Sequence, residues 1–228
     1  MARSAEPTLA EDLLLLLFQP DAAGTIAGEN TLYYTLAGAV LADLALGGHV
    51  RTAPGRAGST LVRAVGDHPP ADDILRSAWD YVVPKPRGVQ TFLAAVGPPL
   101  RGPLLDRIVE RGDIRRVTRK VLGLFGMKVL EDGGTGRRAR LLEDVRQVLV
   151  DGAEPGARVA ALAALLSSSG TLPQFDPVIP WTTPVITRAE ELQRGNWGAG
   201  AAGEAVARTA AAAIISSVVV GVAVSPEN

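Results

Sequence analysis

The segment that most constrains the fold is a run of five consecutive leucines, Leu13–Leu17, near the start of the chain. Thr8 and Glu11 stand just before it at the spacing of a capping box, in which the Thr hydroxyl and the Glu carboxylate each satisfy an amide of the first helical turn. The sequence therefore predicts a helix over Leu9–Phe18. Because leucines cover every side of this helix, we expect other elements to enclose it in the core.

Composition limits the chemistry that the chain can perform. Its 228 residues are 47% hydrophobic and 21% charged, which is typical of a globular chain with a substantial core. With no Cys and only two His, the chain excludes disulfide scaffolds, thiol catalysis, Cys-bound zinc and three-His metal centres. No nucleophile, His and carboxylate stand at a recognisable catalytic spacing. We therefore expect a protein that is not an enzyme and uses no metal or cofactor.

No segment predicts secretion, and one is long enough to consider as a membrane span. The apolar run Leu13–Phe18 is short and follows two acidic residues, unlike a signal peptide. Ala205–Val224 has twenty residues and a single charge, Arg208, so its length fits a spanning helix. Its alanine-rich first half and its interruption by Ser and Gly favour a buried core helix instead. We expect a cytoplasmic protein.

The apolar periodicity predicts a mainly α fold, a single-domain compact helical bundle over residues 1–228 with a protruding β-hairpin. The later helices are predicted at Thr31–Leu46, Asp72–Val83, Val89–Val96, Leu100–Arg111, Arg138–Val150, Pro155–Ser168, Thr187–Arg194 and Ala205–Val224. Short strands are predicted at His49–Arg51 and Thr60–Val65, and the hairpin at Ile114–Leu130. A basic helix and the hairpin thus occupy about residues 100–132.

The charges are unevenly distributed, although the formal net charge is only -1. Between Arg101 and Arg140, eleven basic residues stand against five acidic ones, which leaves an excess of seven negative charges on the rest of the chain. Such polarity would orient the molecule towards an anionic surface. Alternatively, Arg107 and Arg111 line a solvated helix face and pair with acids of their own helix.

The hairpin combines cations with an apolar tip. The cations are Arg115, Arg116, Arg119 and Lys120, and the tip residues are Leu124, Phe125 and Met127. A peripheral membrane contact uses both, because the apolar side chains enter the acyl boundary while the cations meet the phosphates. We therefore expect a peripheral membrane protein that binds anionic phospholipid.

Two alternatives to the membrane hypothesis remain. The apolar tip is also suited to self-association of a soluble interaction or adaptor module, which would make the protein a homo-oligomer. A nucleic-acid binder is the weaker alternative, because few aromatic residues stand among the Arg and the global charge is unfavourable. We expect no nucleic-acid partner.

The order and spacing of several segments resemble the Golgi phosphoprotein 3 family, and the composition resembles its bacterial branch. The segments are Leu9–Leu16, Leu36–Gly48, Val109–Gly112 and Leu124–Met127. The resemblance implies a mostly helical fold without catalytic activity. It also implies peripheral membrane binding through phosphatidylinositol 4-phosphate, a hairpin used in membrane contact and self-association, and an adaptor role towards the cytoplasmic tails of glycosyltransferases.

The headgroup-binding positions of that family are poorly matched in this chain. The lipid-contacting Trp falls at Gly28, one Arg at Ala37 and another at about Pro98. Only Arg101 matches the Arg pair that precedes the basic helix. The resemblance therefore implies Arg101 as a lipid-binding residue, while the cations of Arg115–Lys120 provide general affinity for anionic lipid.

Overall fold

The chain folds mainly into helices, as the sequence predicts. A computed structural model describes residues 6–20, 24–121, 125–195 and 211–218, and for residues 57, 120, 121 and 125–127 it describes the backbone alone. The helices are α1 (Leu9–Leu17), α2 (Leu32–Leu46), α3 (Asp73–Val82), α4 (Val89–Val96), α5 (Arg101–Glu110), α6 (Arg137–Leu149), α7 (Ala157–Ser168), α8 (Thr183–Gln193) and α9 (residues 211–218).

Three small antiparallel sheets accompany the helices. Their strands are β1 (Phe18–Gln19), β2 (Thr25–Ile26), β3 (Val50–Pro54), β4 (Thr60–Ala64), β5 (Arg87–Gly88), β6 (Ile114–Val121) and β7 (Phe125–Asp132). The first sheet pairs β1 with β2, the second has the order β3-β4-β5, and the third pairs β6 with β7. Strands β6 and β7 pair antiparallel within the predicted hairpin range, and β7 continues two residues beyond the predicted end.

Helix α1 lies at the centre of the core. Thr8 and Glu11 form the predicted capping box, and all nine residues of the helix are buried. Helices α2, α5, α6 and α7 pack around it. The expectation that a helix without a polar face is enclosed by others is therefore confirmed, and the buried apolar residues form one continuous cluster.

Several predicted boundaries differ from the structure, and one strand was not predicted. Pro155 precedes the N-cap Gly156 and stands outside α7, which begins at Ala157. Helix α8 begins at Thr183, four residues before its predicted start. Pro184 fits its first turn because the backbone amides of that turn have no partner within the helix, so the amide hydrogen that Pro lacks is not needed there. Strand β5 was not predicted, since two residues are too short to show a period.

The predicted C-terminal helix over Ala205–Val224 is described only in part. Residues 211–218 are helical, and Ala211, Ile214 and Ile215 are buried. The remainder of that prediction lies outside the described residues. Within those that the structure describes, no helix has the length and apolar character needed to cross a membrane.

Asp43 links α2 to the start of α1. Its Oδ2 accepts a 2.8 Å hydrogen bond from the amide of Leu9, which has no partner within its own helix. Arg158 of α7 approaches the same carboxylate at 3.6 Å. Burial nevertheless raises the pKa of Asp43 above its ordinary value of 3.8, against the lowering by the Leu9 amide and by Arg158. Asp43 therefore holds its proton to a higher pH in the folded protein than an Asp with the ordinary pKa would.

We expect Asp43→Asn to change how stability depends on pH. Because the pKa of Asp43 is higher in the folded than in the unfolded protein, its contribution to stability is complete at low pH, where the carboxyl is protonated in both the folded and the unfolded protein. This contribution is lost as pH rises through the folded-state pKa. The free energy of unfolding of the wild type should therefore fall relative to that of Asp43→Asn as pH rises from 4 towards neutrality. Urea unfolding of both proteins across this range measures the difference, and the opposite slope would contradict the assignment.

Candidate functional site

The β6–β7 hairpin is paired along its whole described length. Its register runs from Ile114 opposite Asp132 at the base to Val121 opposite Phe125 near the tip. At the base, the amide of Gly133 donates to the carbonyl oxygen of Asp113 at 2.9 Å, and a Cβ on Gly133 would collide with the backbone of Gly112. Glycine at this position therefore allows the chain to leave β7 in close contact with the start of β6.

A buried ion pair fixes the base of the hairpin to the helices. Arg137 of α6 donates to Oδ2 of Asp113 at 2.6 Å and also pairs with Asp12 of α1. Thr135 donates its hydroxyl to the other Asp113 oxygen at 2.5 Å. Burial alone would lower the pKa of Arg137, but the carboxylates of Asp12 and Asp113 raise it overall. One guanidinium thus holds the base of the hairpin against the central helix.

Three of the predicted lipid-binding residues are paired with carboxylates at the surface. Arg101 lies 2.7 Å from Glu29, Arg116 lies 2.6 Å from Asp106, and Arg119 lies 2.6 Å from Glu131. All six side chains are at least partly exposed. Exposed pairs of this kind contribute about 0–1 kcal/mol, so a competing anion can displace the carboxylate at little cost.

Arg115 and Lys128 differ from these paired cations. Both side chains are exposed, and neither has an ion-pair partner among the residues that the structure describes. In the register, Lys128 lies opposite Thr118, one position from the 119–127 pair. Lys128 belongs to the basic stretch between Arg101 and Arg140 but was not among the predicted lipid-binding residues, although its place in the second strand was a usable signal.

The remaining candidate residues fall where the structure describes less. Leu124 lies outside the described residues. In the register Phe125 lies opposite Val121 and Met127 opposite Arg119, and for Phe125, Met127 and Lys120 the structure describes the backbone alone. Their proposed part in membrane contact or self-association therefore stays a prediction.

The basic stretch pairs with acids from distant parts of the chain. Arg107 contacts Asp72 at 2.7 Å as well as Asp73, and Arg111 lies 3.0 Å from the fully buried carboxylate of Glu11. The expectation that these two Arg pair with acids of their own helix is wrong. Because acids from outside residues 101–140 supply the partners, the charge separation inferred from the sequence is smaller in the folded protein.

The headgroup positions implied by the resemblance are only partly brought together. Glu29, which follows Gly28, reaches Arg101, while the carbonyl of Tyr33 packs against Gly97 next to Pro98. Ala37, in contrast, is 0% exposed in α2 and lies in the core. The side chain of Ala37 therefore cannot contact a ligand bound at Arg101 in this structure.

An apolar cavity of about 410 Å³ lies between α3, α4 and the start of α5. Its walls include Ile74, Tyr81, Val96 and Leu100, with Asp73 and Ser77 at the polar side. Arg101 is not among the lining residues. Its apolar lining makes the cavity a poor match for a phosphate headgroup. Within the described residues, no group of three or more His, Asp or Glu is placed to hold a metal ion.

Comparison with known proteins identifies one family. The family model described as Golgi phosphoprotein 3 (GPP34) matches residues 9–209. The match begins at the first residue of α1 and includes α5 and the β6–β7 hairpin. No curated protein matches the chain.

We expect Arg137→Ala to destabilise the fold strongly. The change removes a cation from the buried carboxylates of Asp12 and Asp113, and breaking a buried pair on one side costs about 3–5 kcal/mol. Arg194→Ala is the matched control, since this Arg pairs with Glu190 at an exposed site and should contribute no more than about 1 kcal/mol. Urea unfolding measures both, and equal effects would show that the Arg137 cluster is not a structural anchor.

Proposed function

Because the chain belongs to the Golgi phosphoprotein 3 family, we propose that it is a non-enzymatic peripheral membrane protein that binds anionic phospholipid through α5 and the β6–β7 hairpin. In this proposal residues 1–228 act as one domain, with the hairpin projecting from the helices towards the bilayer. The protein works in the cytoplasm and associates peripherally with the membrane.

The observation that carries the proposal is the group of exposed cations on the hairpin. Arg115 and Lys128 have no ion-pair partner in the described parts of the chain, and Arg116 and Arg119 are held only by exposed carboxylates. Each cation near an anionic bilayer contributes about 1 kcal/mol to binding, an attraction that salt screens. Several cations on one ribbon are therefore sufficient for reversible attachment.

The headgroup specificity that we propose is broad. Family membership suggests phosphatidylinositol 4-phosphate, but Ala37 is buried and Arg101 already pairs with Glu29. A surface of separate cations distinguishes lipids by charge, because it offers no enclosed set of hydrogen bonds to one headgroup. Vesicles with phosphatidylinositol 4-phosphate should therefore bind no better than phosphatidylserine vesicles of equal surface charge.

Liposome co-sedimentation tests this function. Changing Arg115, Arg116, Arg119 and Lys120 together to Ala should reduce binding to phosphatidylserine vesicles at low salt by at least a hundredfold, since about 1 kcal/mol is lost for each cation. The control changes Arg76, Arg140, Arg146 and Arg194 to Ala, which removes the same charge outside α5 and the hairpin. An absence of wild-type binding, or equal losses in both variants, would reject the proposal.

The same assay has a charge-gain arm. Asp106→Asn and Glu131→Gln release Arg116 and Arg119 from their carboxylates, so each change should strengthen vesicle binding several-fold. Asp80→Asn adds the same charge on α3, where Asp80 pairs with Arg76, and serves as the control. If all three variants bind alike, the positions of the hairpin pairs are irrelevant to membrane attachment.

Self-association through the hairpin is the second candidate function. The β6–β7 sheet has two strands in the described structure, so both of its outer edges present backbone groups that another chain could pair with. A protein partner or a second copy of the chain would then bind to the β6–β7 hairpin. Light scattering over a concentration series should show an oligomer, and a monomer at every concentration would reject this candidate.

A further inference from the structure

A second pair of exposed cations lies on the sheet formed by β3, β4 and β5. Arg51 of β3 and Arg63 of β4 are directly opposite each other in the antiparallel register. Their neighbours Val50 and Val62 are buried, whereas both Arg are exposed. The alternation therefore directs the two guanidinium groups to the same, solvent-facing side of the sheet.

Neither Arg has a neutralising partner. No carboxylate lies within ion-pair distance of Arg51 or Arg63 in the part of the chain that the structure describes. Like charges directly opposite on neighbouring strands destabilise a sheet. This pair thus differs from Arg116 and Arg119, each of which has its own carboxylate.

The neighbouring strand does not supply an anion either. Arg87 of β5 pairs with Val62 in the register and stacks its guanidinium 4.5 Å from the centre of the Tyr81 ring, so its charge has a separate contact. Lys85, two residues before β5, and Arg56, in the turn between β3 and β4, are also exposed. The local excess of positive charge is therefore not balanced within the sheet.

We infer that Arg51 and Arg63 form a binding site for a phosphate group. Directly opposite residues have Cβ atoms about 4.5–5.5 Å apart, a separation at which two guanidinium forks can donate to the oxygens of one dianion. A bound phosphomonoester neutralises both charges and removes the repulsion between them. The shared chemistry is that of a soluble phosphate compound or a phosphomonoester lipid headgroup, at a site separate from the hairpin.

Thermal unfolding in phosphate and in chloride at equal ionic strength tests this site. Inorganic phosphate should raise the unfolding midpoint of the full chain, because a ligand that binds only the folded state stabilises it. Arg63→Glu should raise the midpoint without phosphate, since it gives Arg51 an opposite charge, and should abolish the response to phosphate. A phosphate response that Arg63→Glu leaves unchanged, or its absence in the wild type, would overturn the inference.

Binding measurements on single variants complete the test. Arg51→Ala and Arg63→Ala should each weaken phosphate binding in an NMR titration about tenfold, as the loss of a charge-assisted bond predicts, while Arg194→Ala should not. Equal affinities in all proteins would also overturn the site.

Vesicles then identify the source of the phosphate group. If wild type prefers phosphatidic acid to phosphatidylglycerol at equal charge and Arg51→Ala loses this preference, the ligand is a lipid headgroup. If phosphate binding is lost in the variants without any vesicle preference, the ligand is a soluble phosphate compound. Both outcomes support the site, and neither depends on the hairpin.

Discussion

The carboxylates of Glu11 and Asp12 are buried in the first turn of the central helix, and the packing around that helix depends on their neutralisation. Arg107 of α5 and Arg111, directly after this helix, reach Glu11. Asp12 pairs with Arg137 of α6 and with Arg158 of α7. An unpaired buried charge would be far more costly than the hydrophobic gain of any one leucine. Neutralisation of Glu11 thus depends on α5 lying beside α1, and neutralisation of Asp12 depends on α6 and α7.

This requirement separates the basic residues into two groups. One group faces inward and forms ion pairs with acids of α1, with acids at the start of α3 and with an acid at the hairpin base; its members are Arg107, Arg111 and Arg137. Arg115 and Lys128 face outward on the hairpin with no such partner in the described structure. The inner group positions the ribbon, because Arg137 joins Asp113 to the central helix, and the outer group is left to interact with other molecules.

Local signals in the sequence predicted much of the fold. The capping box at Thr8 and the antiparallel strand pairing within Ile114–Leu130 each depend on residues close together in the sequence, and both are found in the structure. The ion pairs were not predicted, because partners such as Glu11 and Arg111 are a hundred residues apart. Neither the hydrophobic periodicity nor the local composition indicates which acid pairs with which Arg. The residues of the candidate site could therefore be predicted from the sequence, but which of its cations lack an ion-pair partner could not.

The distribution of unpartnered cations is therefore the functional information that folding adds. A chain rich in Arg offers many residues that a sequence pattern could assign to an anion, and the fold removes most of them by internal pairing. Arg51 and Arg63 stand opposite each other without an acid, although one carboxylate on either strand would relieve their repulsion. Stability alone does not explain such an arrangement, whereas an anion bound between the two guanidinium groups does.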